Sequence, residues 1–157
     1  MRGDAFEGAV KQSVKEVQTV VITKNLSIQT QGRCDIVDIT GVVDRGIAES
    51  EIRNGTVTLF IPGSTAGVTT IEYEYGVLKD LKDMWERIIP SNVEYAHDQA
   101  WGDGNGYSHV RASVLGASLT VPFVDKTMTL GTWQQIVVID FDNRSRSRNV
   151  VLQIMGE

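Results

Sequence analysis

The sequence predicts an α+β fold: a mostly antiparallel β-sandwich or barrel-like sheet with two main helices packed on it. About eight segments combine β-branched residues with flanking turn residues, a pattern that is typical of strands. Short turns join most of them, and such neighbours pair antiparallel because a parallel pair needs a long crossover. Two other segments repeat apolar residues at helical spacing. Helices packed on one side of such a sheet bury the apolar faces of both.

The first predicted elements are two strands and a helix. Residues 13–23 are rich in Val and Thr, which favours a strand. Residues 25–31 are its predicted partner, with Lys24-Asn25 as a tight connection. Apolar residues then recur at helical spacing and predict a helix over residues 38–50, although two glycines weaken the pattern. These apolar residues are Ile36, Ile39, Val43 and Ile47.

The middle of the chain contains the clearest helix. Two apolar strands are predicted at residues 56–61 and 68–73, the first after the turn signal Asn54-Gly55. After Gly76, apolar residues are spaced i, i+3, i+7 and i+10, and charged residues occupy the other helical face. Pro90 ends this helix. The apolar residues are Leu78, Leu81, Trp85 and Ile88.

The C-terminal part is predicted to be mostly strand. Residues 92–98 lead into a glycine-rich loop at residues 102–106, and residues 108–115 are either a short helix or extended. Asp-Lys and Asp-Asn dipeptides then supply turns between β-rich runs. The predicted strands are residues 118–124, 127–130, 134–141 and 149–155.

Composition and charge restrict the class of function. The net charge is −5, which argues against nucleic-acid binding because that usually needs a basic face. No apolar run approaches the roughly 20 residues that span a bilayer, so no membrane partner is expected. A single cysteine, Cys34, and an N-terminus without an apolar core favour a cytoplasmic protein. One domain is expected over residues 1–157, with about ten loose residues at its start.

Two features of the sequence have alternative interpretations. The basic cluster at residues 144–148 alternates Arg with Ser between two predicted strands. A solvated turn is the favoured interpretation, and a loop that contacts phosphate is the alternative, because Arg forks suit phosphate oxygens. Trp133 is predicted with equal weight to pack in the core or to lie on a ring-stacking or subunit-facing surface.

Candidate chemistry centres on the only two histidines of the chain, His97 and His109, on either side of the glycine-rich loop. Histidine serves as a general acid–base and as a metal ligand, and two histidines with one carboxylate can hold a divalent metal. A buried hydrogen bond is the simpler explanation of either histidine. The available carboxylates are Glu72, Asp98 and Asp103.

A second candidate segment, residues 62–67, has small residues and hydroxyls that allow a ligand to approach the backbone, although a tight connection between strands is the favoured interpretation. The sequence has no Gly-x-Ser-x-Gly elbow, no dinucleotide-binding fingerprint and no Walker A motif. The α/β-hydrolases, dinucleotide-binding enzymes and P-loop NTPases are therefore disfavoured.

Four ordered blocks resemble the YjbQ family, and the resemblance covers nearly the whole chain, from about residue 13 to residue 157. Residues 109–122, HVRASVLGASLTVP, are similar to the family's HxxASLxGxSxTxP stretch. Residues 130–136, LGTWQQI, resemble its LGTWQ signature, and residues 62–72, PGSTAGVTTIE, resemble its PHTTAGVTINE stretch. The ending Met155-Gly156-Glu157 is similar to the family's GE ending.

The resemblance implies a β-sandwich with helices that assembles as a homotrimer. It also implies a secondary thiamine-phosphate synthase activity, a transferase reaction that joins thiazole phosphate to hydroxymethylpyrimidine diphosphate and releases pyrophosphate. Magnesium would help by neutralising the diphosphate leaving group. The alternative is a non-catalytic homotrimeric module that binds a small phosphorylated or anionic ligand.

The resemblance also implies which residues form the site. Catalytic roles fall on His97, His109 and Glu72, and substrate binding falls on Thr65, Asn105, Tyr107 and Arg111. His97 and His109 are the implied ligands of a divalent metal, Mg or Zn. The sequence departs from the family pattern where family histidines are replaced by Gly63 and Tyr107, and where an asparagine is replaced by Ile71. The loss of two imidazoles favours the binding module.

Overall fold

The computed structural model describes residues 18–157, which form two antiparallel sheets and four helices. The elements in chain order are β1 (Val20–Thr30), β2 (Asp35–Asp38), α1 (Thr40–Ala48), β3 (Gly55–Phe60), β4 (Ala66–Ile71), α2 (Tyr75–Ile88), α3 (Ala96–Trp101), α4 (Gly106–Leu115), β5 (Ser118–Val124), β6 (Thr127–Met128), β7 (Gln135–Asp140) and β8 (Arg146–Gly156). The larger sheet has the order β1-β8-β3-β5-β6 and the smaller one β2-β7-β4. All strand pairs are antiparallel, so the predicted α+β class is confirmed.

Strand β7 lies at the centre of the small sheet and is buried on both faces. Ile136 and Val138 join the core that forms between the two sheets. Val137 and Ile139 point the other way, since side chains alternate along a strand, and they pack in a second cluster with Trp85 of α2 and with α4. This double burial explains why the sequence has four consecutive apolar residues here.

Helix α2 confirms the clearest helical prediction. Glu74 precedes it and accepts hydrogen bonds from the backbone N–H groups of Gly76 and Val77, which satisfies two donors of the first turn. The apolar face packs on the small sheet, where the Trp85 ring meets the edge of Phe141 at 5.1 Å between centroids. Among residues 18–157, no helix has both the length and the apolarity needed to cross a bilayer.

The predicted hairpin at Lys24-Asn25 is wrong, because both residues lie within the continuous 11-residue strand β1. Lys24 pairs with Leu152 and Asn25 with Val151 of β8, which is equally long. This pairing along the full length overrides the local turn signal. The part of the predicted strand at residues 13–17 and the expected loose N-terminus lie outside the described residues.

The interpretation of residues 144–148 as a solvated turn is also wrong, because β8 begins at Arg146. Arg146 and Arg148 lie two residues apart and pair with the buried carboxylates of Asp142 and Asp140. The structure adds two short elements that the sequence did not predict, strand β2 and helix α3. Trp133 is 69% exposed, so the core interpretation of this residue is wrong.

Candidate functional site

A cleft of about 320 Å³ opens between helix α4 and the loop before β4. Its walls are made of small residues and one imidazole, that of His109. The lining residues are Gly63, Ser64, Ala66, His109, Ala112, Ser113, Gly116 and Ala117. Gly63 has a φ of +145°, which side-chain-bearing residues rarely adopt, so the loop both requires glycine there and leaves the wall open.

The structure brings the two histidines together at one end of this cleft. His97 on α3 and His109 on α4 have ring centroids 4.3 Å apart with a 43° tilt between the rings. Nε2 of His97 lies 3.4 Å from Oδ1 of Asp103, and Trp101 stacks on its ring at 6.5 Å. His109 therefore faces the cleft, while His97 lies behind it and contacts a carboxylate.

The short connection between α3 and α4 positions this histidine pair. Helix α3 ends at Gly102 in the left-handed region, and α4 begins at Gly106. The Gly106 N–H donates to Oδ1 of Asp98 at 2.8 Å. A Cβ atom on Gly106 would lie only 2.5 Å from the Cβ of Tyr95, so only glycine allows the start of α4 to come this close.

Asn105 is buried, and its side-chain amide lies within reach of two carboxylates, those of Asp142 and Asp103. In one orientation its amide donates to Oδ1 of Asp142 at 3.4 Å. In the reverse orientation, which satisfies both ends of the amide, it donates to the two carboxylate oxygens of Asp103 at 3.1 and 3.3 Å. The shorter contacts favour the second orientation, in which Asn105 fixes the carboxylate that contacts His97.

A buried ion-pair cluster lies beside the cleft, and sequence reasoning missed it. Arg148 donates to Asp140 from Nε at 2.7 Å and from Nη2 at 2.6 Å, and Arg146 Nε donates to Asp142 at 2.6 Å. Thr65, a predicted substrate-binding residue, donates to Asp142 and accepts from Arg148. The signal in the sequence was the i, i+2 spacing of Asp140 with Asp142 and of Arg146 with Arg148. In an extended segment this spacing places the two acids on one face and the two arginines on one face.

The carboxyl group of Asp142 ionises readily although it is buried. Burial raises the pKa of Asp142, but hydrogen bonds from Arg146 and from the N–H of Asn143 outweigh it, and the pKa lies below its ordinary value. The cluster therefore contains two guanidinium groups and two carboxylates, whose formal charges cancel.

Arg148 has a donor that the cluster does not use. Its side chain is only 11% exposed, and Nη1 makes no hydrogen bond with residues 18–157. Nη1 lies 3.7 Å from the position that a Cβ on Gly63 would take. The free edge of a fixed guanidinium group therefore lies directly beside the wall of the cleft.

The other predicted site residues lie apart from the cleft. Tyr107 and Arg111 are buried, with the guanidinium 5.0 Å above the Tyr107 ring. Arg111 donates to the carbonyl of Ile89 and pairs with Glu86 at 2.8 Å. Glu72 is exposed just beyond the end of β4, about 20 Å along that strand from its Thr65 end.

The described residues contain no cluster of three metal-ligating side chains. Within residues 18–157, no three His, Cys, Asp or Glu side chains are placed to share a metal ion. Of the three carboxylates predicted as partners of the histidines, Asp103 lies 3.4 Å from Nε2 of His97, whereas Glu72 lies at the far end of β4. The two imidazoles and Asp103 come together without forming the set of three ligands that holds a catalytic zinc.

The chain is similar to proteins of one family. The family model described as UPF0047 protein YjbQ-like matches residues 24–157. A UPF0047 protein of Methanothermobacter thermautotrophicus is 36% identical over 137 residues, which covers 87% of this chain and 94% of the relative. The UPF0047 protein YugU of Bacillus subtilis is 32% identical over 134 residues, covering 85% and 98%.

Two solved structures of similar proteins have a similar fold. A YbjQ-like protein of unknown function from Sulfolobus solfataricus has a TM-score of 0.84 and 27% identity, covering 89% of this chain and all of the other. A YjbQ/UPF0047 family protein of Clostridium acetobutylicum has a TM-score of 0.76 and 30% identity, covering 83% and 98%.

Proposed function

The chain belongs to the YjbQ (UPF0047) family, and on this basis we propose that it binds a small phosphorylated or anionic molecule in the cleft beside His109. The observation that carries the proposal is the free Nη1 edge of Arg148 next to Gly63. Arginine forks and phosphate oxygens form strong, charge-assisted hydrogen bonds. A nearly buried guanidinium at the edge of an open cleft is therefore suited to an anionic group.

The surroundings of Arg148 make this donor rigid before any ligand arrives. Two hydrogen bonds to Asp140 and one to Thr65 hold the guanidinium plane in place. A donor that is already fixed loses little conformational entropy on binding. In the cleft itself, Ser64, Ser113 and His109 offer further polar groups to a bound molecule.

The charge balance favours binding over catalysis. Release of pyrophosphate builds up negative charge that positive groups or a metal must stabilise. The two arginines of the cluster are offset by Asp140 and Asp142, and Arg111 is occupied by Glu86. The non-catalytic module is therefore the better supported of the two functions.

The synthase is the second candidate, and the histidine pair is the observation that favours it. In that reaction the thiazole nitrogen attacks the pyrimidine methylene carbon, a C–N bond forms, and the C–O bond to diphosphate breaks. His109 faces the cleft with His97 and Asp103 behind it, so it is placed to donate a hydrogen bond to the leaving pyrophosphate.

One experiment separates the two candidates. Purified protein and its His109→Gln variant are titrated calorimetrically with thiazole phosphate and with hydroxymethylpyrimidine diphosphate, and pyrophosphate release is measured with both present. A binding module binds at least one compound and releases no pyrophosphate, and His109→Gln weakens binding only. A synthase releases pyrophosphate, and His109→Gln abolishes the release. Absence of binding and turnover in the wild type contradicts both.

We also propose the homotrimer that the resemblance implies. Trp133 is 69% exposed in the turn before β7, and a large exposed aromatic ring is common at subunit interfaces. Sedimentation analysis of the wild type and of Trp133→Ser tests it. A trimer that the substitution dissociates supports the assembly and places Trp133 in the interface. A monomeric wild type contradicts the assembly, and a trimeric variant contradicts this role of Trp133.

A further inference from the structure

A second hollow, of about 540 Å³, lies outside the cleft, between the turn after β1 and the loop before β8. Its lining is polar and contains two arginines but no carboxylate. The lining residues are Gln31, Gly32, Arg33, Asn143, Arg144 and Ser145. Neither the cleft nor the histidine pair shares a residue with it.

The two arginines of this hollow have no acidic partner. Arg33 and Arg144 form no ion pair with residues 18–157, whereas Arg146, Arg148 and Arg111 nearby are each paired with a carboxylate. Two positive charges that line one hollow repel each other, and a bound anion would remove that repulsion. The chain as a whole is acidic, which makes this local excess of positive charge distinctive.

Two neighbouring hollows share these arginines but suit an anion less well. One contains Arg33 and Arg111 together with Glu86. The other contains Arg144 and Arg146 together with Asp103. A carboxylate in the lining repels an anionic ligand, so the hollow without one is the favoured place for it.

The backbone around this hollow is held in place by close contacts. Gly32 has a φ of +73°, and a Cβ there would lie 2.4 Å from the carbonyl oxygen of Arg144 and 2.6 Å from that of Asp142. The Arg33 N–H donates to the same Asp142 carbonyl at 2.6 Å. Both arginines therefore extend from backbone segments that are locked together.

We propose that this hollow is a second anion-binding site, specific for a phosphate ester or a diphosphate. Two guanidinium groups can each contact a different acidic oxygen, and Ser145 and Gln31 can donate further hydrogen bonds. Asn143 is less available, because its side-chain amide donates to the carbonyl of Asp103. The site does not depend on the function proposed for the cleft.

Inorganic pyrophosphate is the probe for this site. It is titrated into ¹⁵N-labelled protein, and amide shifts at residues 31–34 and 143–145 report on the hollow. Three variants are compared with the wild type. Arg33→Gln/Arg144→Gln removes the site, Arg45→Gln/Arg87→Gln removes the same charge elsewhere, and His109→Gln alters only the cleft.

The expected result is saturable binding at residues 31–34 and 143–145, weakened about tenfold or more by Arg33→Gln/Arg144→Gln. The charge-matched double variant and His109→Gln should retain the wild-type Kd at these amides. Equal weakening by both double variants would mean a general charge effect and would overturn the proposal. Shifts that do not saturate in the wild type, or that saturate only at the amides around His109, would also overturn it.

Discussion

Replacing Arg148 by methionine should strongly destabilise the fold, because it leaves a fully buried carboxylate without its cation. Asp140 is 0% exposed and receives two hydrogen bonds from Arg148. Breaking a buried ion pair by removing one partner costs about 3–5 kcal/mol. Asp140 keeps two other donors, the hydroxyl of Thr30 and the backbone N–H of Asp142, so the lower end, about 3 kcal/mol, is expected.

Urea unfolding at pH 7, followed by circular dichroism, measures this loss. With an m value of about 2 kcal/mol/M, a loss of about 3 kcal/mol lowers the midpoint by about 1.5 M. Arg53→Met is the matched control, because Arg53 pairs with Asp125 on the surface, where its side chain is 72% exposed. The control should lose less than about 0.5 kcal/mol.

A double-mutant cycle tests whether the cost comes from the uncompensated charge. In Asp140→Asn/Arg148→Met both charges are absent, so the double variant should be more stable than the sum of the single losses predicts, by about 1–3 kcal/mol. A loss below about 1 kcal/mol for Arg148→Met, or strict additivity in the cycle, would mean that the buried Asp140 carboxylate does not depend on the charge of Arg148.

Three further predictions concern pH, thiol reactivity and packing. The pKa of Asp142 lies below its ordinary value of 3.8, so the ionised carboxylate stabilises the fold at pH values above 3.8, and this stabilisation is lost as the pH falls towards the folded-state pKa. The free energy of unfolding should therefore drop more steeply below about pH 4 in the wild type than in Asp142→Asn. Burial raises the pKa of Cys34 to about 11, so thiol-reagent labelling at pH 8 should be at least about 100-fold slower in the folded than in the unfolded protein. Gly67→Ala should cost about 1–3 kcal/mol in urea unfolding, because its Cβ would lie 2.6 Å from the carbonyl oxygen of Gly116 at the base of the cleft.

Elements with a strong local pattern were predicted correctly. Helix α2 has an amphipathic stripe and Pro90 just beyond its end, and both are readable without knowing the fold, whereas its N-cap Glu74 was not predicted. Strand β7 is an unbroken apolar run, as expected for a strand buried on both faces. Elements that depend on distant partners were missed. Lys24-Asn25 looks like a turn until β8 is known to pair along its whole length.

The site was predictable in part. The resemblance directed attention to His97 and His109, and the structure brings their rings together. Their spacing alone does not determine this, because it depends on the approach of Gly106 to Tyr95. The i, i+2 repeat of acids and arginines was readable, but the pairing within the Arg148 cluster was not, since its ion pairs join β8 to the end of β7 through side chains that look solvated in sequence.

If the cleft beside His109 binds a phosphorylated molecule, calorimetric titration of thiazole phosphate and of hydroxymethylpyrimidine diphosphate should detect it. Ser113 lines the cleft, so Ser113→Trp should fill it, whereas Val114→Trp on the same helix changes an exposed position outside the lining. We expect Ser113→Trp to abolish binding and Val114→Trp to retain the Kd of the wild type. Equal binding by the wild type and Ser113→Trp, or binding of neither compound by the wild type, would overturn the proposal.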